Sequence, residues 1–137
     1  ILFSEYYFYL AAFIEGIDRQ TQYDNPEDKS PTIYRVDKIE TYHLTDEHFS
    51  VPYRDRFQEG EMRKRIQFMY GGKLQKIRFL YTGPSLEAVL DRLPTARVVE
   101  TLPDSSGSWI EAEVFGSGID MWIRSQGEYI CQLNKQA

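Results

Sequence analysis

The stretch Tyr6-Tyr7-Phe8-Tyr9-Leu10-Ala11-Ala12-Phe13 limits the choice of fold more than any other part of this sequence. It is dense in aromatic residues, which favour a pleated, half-buried surface, so it predicts a strand. Along that strand Tyr7, Tyr9, Ala11 and Phe13 share one face, and Tyr6, Phe8, Leu10 and Ala12 share the other. Both faces are apolar enough to be covered, which predicts an interior strand. The tyrosine hydroxyls are polar tips that need partners, either structural or from a ligand. A domain rarely begins in its own core, so the chain is expected to be a fragment whose upstream part is missing.

With 137 residues, 42% of them hydrophobic and 15% aromatic, the chain supports one packed domain or two very small ones rather than disorder. The longest apolar run, Tyr6 to Ile14, is nine residues. A membrane-spanning helix needs about 18 or more, so none is predicted. A single cysteine, Cys131, excludes an internal disulfide framework and fits a reducing, cytoplasmic compartment. Its place in the alternation Tyr129, Cys131, Leu133 predicts a buried structural thiol. The net charge is -5, with nine basic and thirteen acidic residues before position 72 and seven and eight after it. Neither half has the basic excess that holds duplex DNA, so any nucleic-acid contact must come from a local patch or pocket.

Glu15 to Pro31 carries turn chemistry with no period of either kind. Thr32 to Tyr42 predicts a second strand, with Tyr34, Val36 and Lys38 on one face and Ile33, Arg35, Asp37 and Ile39 on the other. Arg35 and Asp37 between isoleucines have two readings. One is a strand-face ion pair worth roughly 0.2–1 kcal/mol. The other is an anion-contacting arginine held by its neighbours. His43 to Pro52 is polar and turn-like. From Glu61 to Tyr70, Met62, Ile66 and Met69 recur at helical spacing around Arg63-Lys64-Arg65, a pattern that predicts a short amphipathic helix or linker with a solvated basic face. Gly71-Gly72 then marks a boundary between units 1–71 and 72–137.

The second unit predicts a strand at Leu74 to Tyr81 and a helix capped by Ser85, with Leu86, Val89, Leu90 and Leu93 as its apolar stripe and Pro94 as its stop. A strand at Ala96 to Leu102 and another at Trp109 to Phe115 follow, then a helix at Ile119 to Gln126 with Gly127 as its cap. Tyr129 to Leu133 is the last strand. This strand-helix-strand-strand-helix-strand order is that of a ferredoxin-like unit, so the fold class expected is α+β.

Catalytic and metal chemistry find no support. His43 and His48 are five apart with no cysteine near, which is poor ligand spacing. Gly72-Lys73 is followed by Leu74, which fails the phosphate-loop pattern. Gly116-Ser117-Gly118 has no base placed to activate the serine and predicts a helix-opening turn. Glu111 and Glu113 fit the solvated side of an edge strand. No cofactor is expected, and the chain is not expected to be an enzyme.

Two stretches together resemble a known family. Phe8-Tyr9-Leu10-Ala11 stands where the WYL domain family has its Trp-Tyr-Leu triplet, and Tyr34-Arg35-Val36-Asp37-Lys38-Ile39 resembles that family's second signature. Gly83-Pro84-Ser85-Leu86-Glu87 and Met121-Trp122-Ile123-Arg124-Ser125-Gln126-Gly127 are similar to the C-terminal extension that follows WYL domains in bacterial transcription regulators. The resemblance covers nearly the whole chain and implies an SH3- or Sm-like β-barrel for the first unit. It also implies a helix-turn-helix DNA-binding domain upstream of Ile1, so that double-stranded DNA would be met only there. Family members sense effectors, in some cases nucleotides or single-stranded nucleic acid. The matched positions are Tyr9, Arg35, Asp37 and Lys38. Phe8 departs from the name-giving tryptophan, and Lys38 stands where arginine is usual, which removes the planar fork.

These readings combine into one expectation, an effector-sensing fragment of a homodimeric regulator. Arg35 would contact a phosphate, Tyr7 or Tyr9 would stack on or bond to a base, and Asp37 would orient the arginine. The competing expectation is an assembly module with no small effector.

Overall fold

The structure is a computed structural model in which residues 1–18, 31–50 and 58–136 are described. Among them, three α-helices and two antiparallel sheets make an α+β arrangement. The first sheet has the order β1-β2-β3, formed by β1 (Leu2–Ser4), β2 (Tyr7–Ala12) and β3 (Thr32–Arg35). A tight turn at Glu5-Tyr6 joins β1 to β2, with Glu5 at φ 56° as such turns require. Leu2 pairs with Tyr9, Tyr9 with Arg35, and Ala11 with Ile33, so these residues line one face. That face closes a small core with Met62, Ile66 and Met69.

β2 is central by hydrogen bonding, as expected of an interior strand, but only one of its faces is covered. On the other face Phe3 is 52%, Phe8 58% and Tyr34 40% exposed, and the Phe3 and Phe8 rings meet at 5.1 Å. Apolar residues on both sides of a strand do not create a second covering layer, and the described residues supply one layer here. Nor do these three strands close a barrel. Closure needs both edges paired, and β1 and β3 each pair on one side only.

The strand expected to run to Tyr42 stops at Arg35. Val36–Lys38 turn instead into a single 3-10 turn closed by the Ile39 N–H on the Val36 carbonyl at 3.2 Å. In a strand, residues two apart are separated by about 6.5–7 Å along the axis. The turn draws Asp37 back onto Arg35. The turn-rich segment read over Glu15 to Pro31 lies mostly outside the described residues, as do Val51 and Pro52. His43 and His48 are exposed.

Helix α1 (Glu59–Arg65) is shorter than its apolar spacing predicts: Ile66 is already extended and bridges to Phe115, and Phe68 and Met69, both at φ above +50°, then turn the chain further. Met62, Ile66 and Met69 are nonetheless buried together. Its outer face carries Arg63–Glu59 and Lys64–Glu61 ion pairs, while Arg65 is largely covered and reaches Glu113 at 3.4 Å.

The second sheet has the order β5-β6-β4-β7, built from β4 (Leu74–Tyr81), β5 (Arg97–Thr101), β6 (Ser108–Phe115) and β7 (Ile130–Gln136). Helices α2 (Leu86–Arg92) and α3 (Gly118–Ser125) follow β4 and β6. β6 alternates buried and half-buried residues along its whole length, the period of a strand with one covered face. Ile77, Phe79, Ile110 and Val114 from the sheet meet Val89 and Leu93 from α2 and its end, and Ile119 and Trp122 from α3, in the main core. Ser85 occupies the N-cap position as expected but makes no side-chain cap bond.

Two expectations are corrected here. Glu111 and Glu113 lie on β6, which is interior to the sheet rather than an edge; what they share is its open face. Cys131 is exposed rather than buried. β7 lies at the sheet edge, so the alternation that predicted burial has little to pack against. The Cys131 thiol donates instead to the Glu128 carbonyl at 3.4 Å.

Candidate functional site

The register of β2 and β3 sets Tyr9 directly opposite Arg35. Cross-strand partners share a face, so both side chains point toward the segment that follows α1. Between sheet and segment lies a groove of about 530 Å³, within the range of small-ligand sites. Tyr9, Thr32, Ile33 and Arg35 form its sheet wall. Phe68, Met69, Tyr70, Gly71 and Gly72 form the facing wall.

Arg35 is held in place from two sides. Its Nε donates to Asp37 Oδ1 at 3.0 Å and its Nη2 to Asp37 Oδ2 at 2.7 Å. Its guanidinium lies 3.7 Å from the centre of the Tyr7 ring, a cation–π geometry. The hydrogen bond from Arg35 holds the Asp37 carboxyl below the usual aspartate range, and the same bond raises the guanidinium above its usual value. Asp37 takes the Nε–Nη2 edge, so a second anion can be met only end-on, through Nη1 and the remaining Nη2 hydrogen. With the nearest carboxylate already bound, the groove offers one oriented but partly neutralised cation among apolar and aromatic surfaces.

The facing wall is fastened to the second sheet. A Cβ on Gly72 would come within 2.9 Å of the Gly116 Cα, and one on Gly118 would collide with the Gln67 carbonyl, so only glycine permits this approach. The Gly116 N–H donates to the Lys73 carbonyl at 3.1 Å. Arg92 at the end of α2 ties three parts together. Its guanidinium lies 5.1 Å from the Phe68 ring centre and 3.3 Å from Glu5 in the β1–β2 turn, and its carbonyl accepts from the Gln67 amide at 3.4 Å.

Of the residues singled out in the sequence, Tyr9 and Arg35 line the groove, while Tyr7 and Asp37 act on it through Arg35. Lys38 is exposed on the 3-10 turn and does not line it. Nothing in the periodicity places Phe68, Tyr70, Gly71 and Gly72 here, because that pattern extends the helix through Tyr70. The signal available was the pair of glycines directly after two aromatics, a place where a backbone can approach closely.

A second hollow of about 430 Å³ lies on the open face of the β5-β6-β4-β7 sheet, between Lys76, Arg78, Trp109 and Gln132. Two of its charged residues are paired with neighbours outside it: Arg78 is 3.6 Å from Glu100, and Glu111 is 2.8 Å from Arg97 of the adjoining strand. Among the described residues no group of three His, Cys, Asp or Glu side chains is placed to hold a metal, and no helix is long and apolar enough to cross a membrane. Comparison with family models, with curated proteins and with solved structures gave no match.

Proposed function

We propose that this chain is the effector-sensing part of a bacterial transcription regulator of the WYL type, working in the cytoplasm as a homodimer. The observation that carries this reading is the meeting of Tyr9 and Arg35 on one groove. The ligand is an anion with a flat, base-like body, a nucleotide or a short single strand of nucleic acid. Arg35 meets the phosphate end-on, Asp37 and Tyr7 hold the guanidinium for it, and Tyr9, Phe68 and Tyr70 offer rings against which a base stacks. Lys38 contributes long-range attraction only. Contact with double-stranded DNA belongs to a helix-turn-helix domain outside this chain. The order of elements and the sheet order β5-β6-β4-β7 support a ferredoxin-like reading of the second unit, and we read the first sheet as part of an SH3- or Sm-like barrel.

Binding of a panel of nucleotides and short single-stranded oligonucleotides, measured by calorimetry, tests this. Arg35→Ala is expected to weaken binding by about 1.5–3 kcal/mol, tenfold or more, as for a lost hydrogen bond to a charged group. Equal affinities for wild type and variant, or no binding to any of the panel, would sink the proposal. One observation favours the competing reading, an assembly module without a small effector: the exposed aromatic face of Phe3, Phe8 and Tyr34 suits a protein partner.

A further inference from the structure

We infer that β7 is the seam along which two copies of this chain join, strand to strand, into one continuous sheet. Edge strands expose unpaired N–H and C=O groups, and folded proteins guard them with charges, bulges or brevity. Three of the four sheet edges among the described residues are guarded. β1 has three residues and β3 four before its turn. β5 has its register broken between Val98 and Glu100, an irregularity in the middle of a five-residue strand.

β7 differs. It runs seven residues, pairs only with β4, and leaves Cys131 to Gln136 exposed. Its one register shift lies at its beginning, opposite Leu80/Tyr81, so Gln132 to Gln136 form a regular ladder with a free outer edge. The single charge in that ladder, Lys135, is bound to Asp120 of α3. In an antiparallel ladder successive residues turn their N–H and C=O groups alternately to the two sides, so this stretch can accept a further strand without rearranging.

The occupant is a second copy because the strand complements itself. A two-fold axis through Asn134 overlays the regular stretch on its own reverse. Gln132 then faces the partner's Gln136, Asn134 faces the partner's Asn134, and Leu133 faces the partner's Lys135. No like charges are opposed. The carboxamides form an unbroken row on the open face, where they can bond to one another across the seam. Leu133, 38% exposed in the single chain, gains a neighbour on the other face. The contact is isologous and closed, which yields a dimer and not a fibre. It does not depend on what the groove binds.

Sedimentation or light scattering over a wide concentration range, on the 137-residue chain, tests the seam. Wild type is expected at twice the chain mass and to dissociate on dilution. Gln132→Glu/Gln136→Glu opposes carboxylates across the axis twice and is expected to be monomeric, with unchanged circular dichroism. Gln132→Lys/Gln136→Glu opposes unlike charges and is expected to remain dimeric. A wild type monomeric throughout, or a dimer indifferent to these two variants, would overturn the inference.

Discussion

Arg35 shows how far a side chain's neighbours determine its use. Taken alone it is a strand cation; with Asp37 drawn back by the 3-10 turn it becomes a guanidinium fixed along one edge and open at the other. Both partners are largely exposed, so the pair contributes little to stability, and its weight lies in orientation. The coupling has a pH signature. Asp37 has a lowered pKa in the folded chain, so its stabilising contribution is present above the ordinary aspartate value of about 3.9 and is lost as pH falls through the lowered one. Carboxyl NMR titration should give Asp37 a midpoint below that ordinary value in wild type, returning to it in Arg35→Ala. A midpoint that does not move with the substitution would mean the pair is not formed in solution.

Strands and helices differ in how much of themselves the chain announces. β6 obeys a strict period of two, β4 follows it as far as Phe79, and α2 lies between Ser85 and Pro94, so their bounds were legible within a residue or two. The strand after Pro31 and the helix after Glu59 both stop short of the pattern in their sequence. In each case the apolar pattern continues past the point where the backbone changes course: the 3-10 turn at Val36–Lys38 in one, the extended Ile66 bridged to Phe115 in the other. Burial follows layers and not hydrophobicity, which yields a contrast between two substitutions. Leu93→Ala, at a fully buried site, should cost about 2–5 kcal/mol in urea unfolding. Phe8→Ser, on the open face of the first sheet, should cost less than about 1 kcal/mol. Comparable losses would show that the aromatic face is covered in solution.

The first sheet and its helix meet the second sheet through several contacts, among them the Gly72–Gly116 approach, the Arg65–Glu113 pair and a cluster at Arg92. Arg92 braces Phe68, which lines the groove, and Glu5, which sits in the first turn of the chain. Arg92→Ala should therefore speed amide hydrogen exchange at Glu5-Tyr6 and Gln67–Tyr70 while leaving β4 and β6 protected. Uniform acceleration everywhere would instead place Arg92 in general stability.

Sequence alone determined the α+β class and the order of elements in the second unit, and it singled out Tyr9 and Arg35, which the fold sets opposite each other. Those follow from local rules: side-chain period, caps and breakers, and short motifs. The single covered face of β2, the exposure of Cys131 and the groove wall from Phe68 to Gly72 had to wait for the folded chain. Each depends on what lies opposite in space. A strand's pattern states which residues can be buried, and only the arrival of another layer, or of a glycine that lets one approach, makes them so.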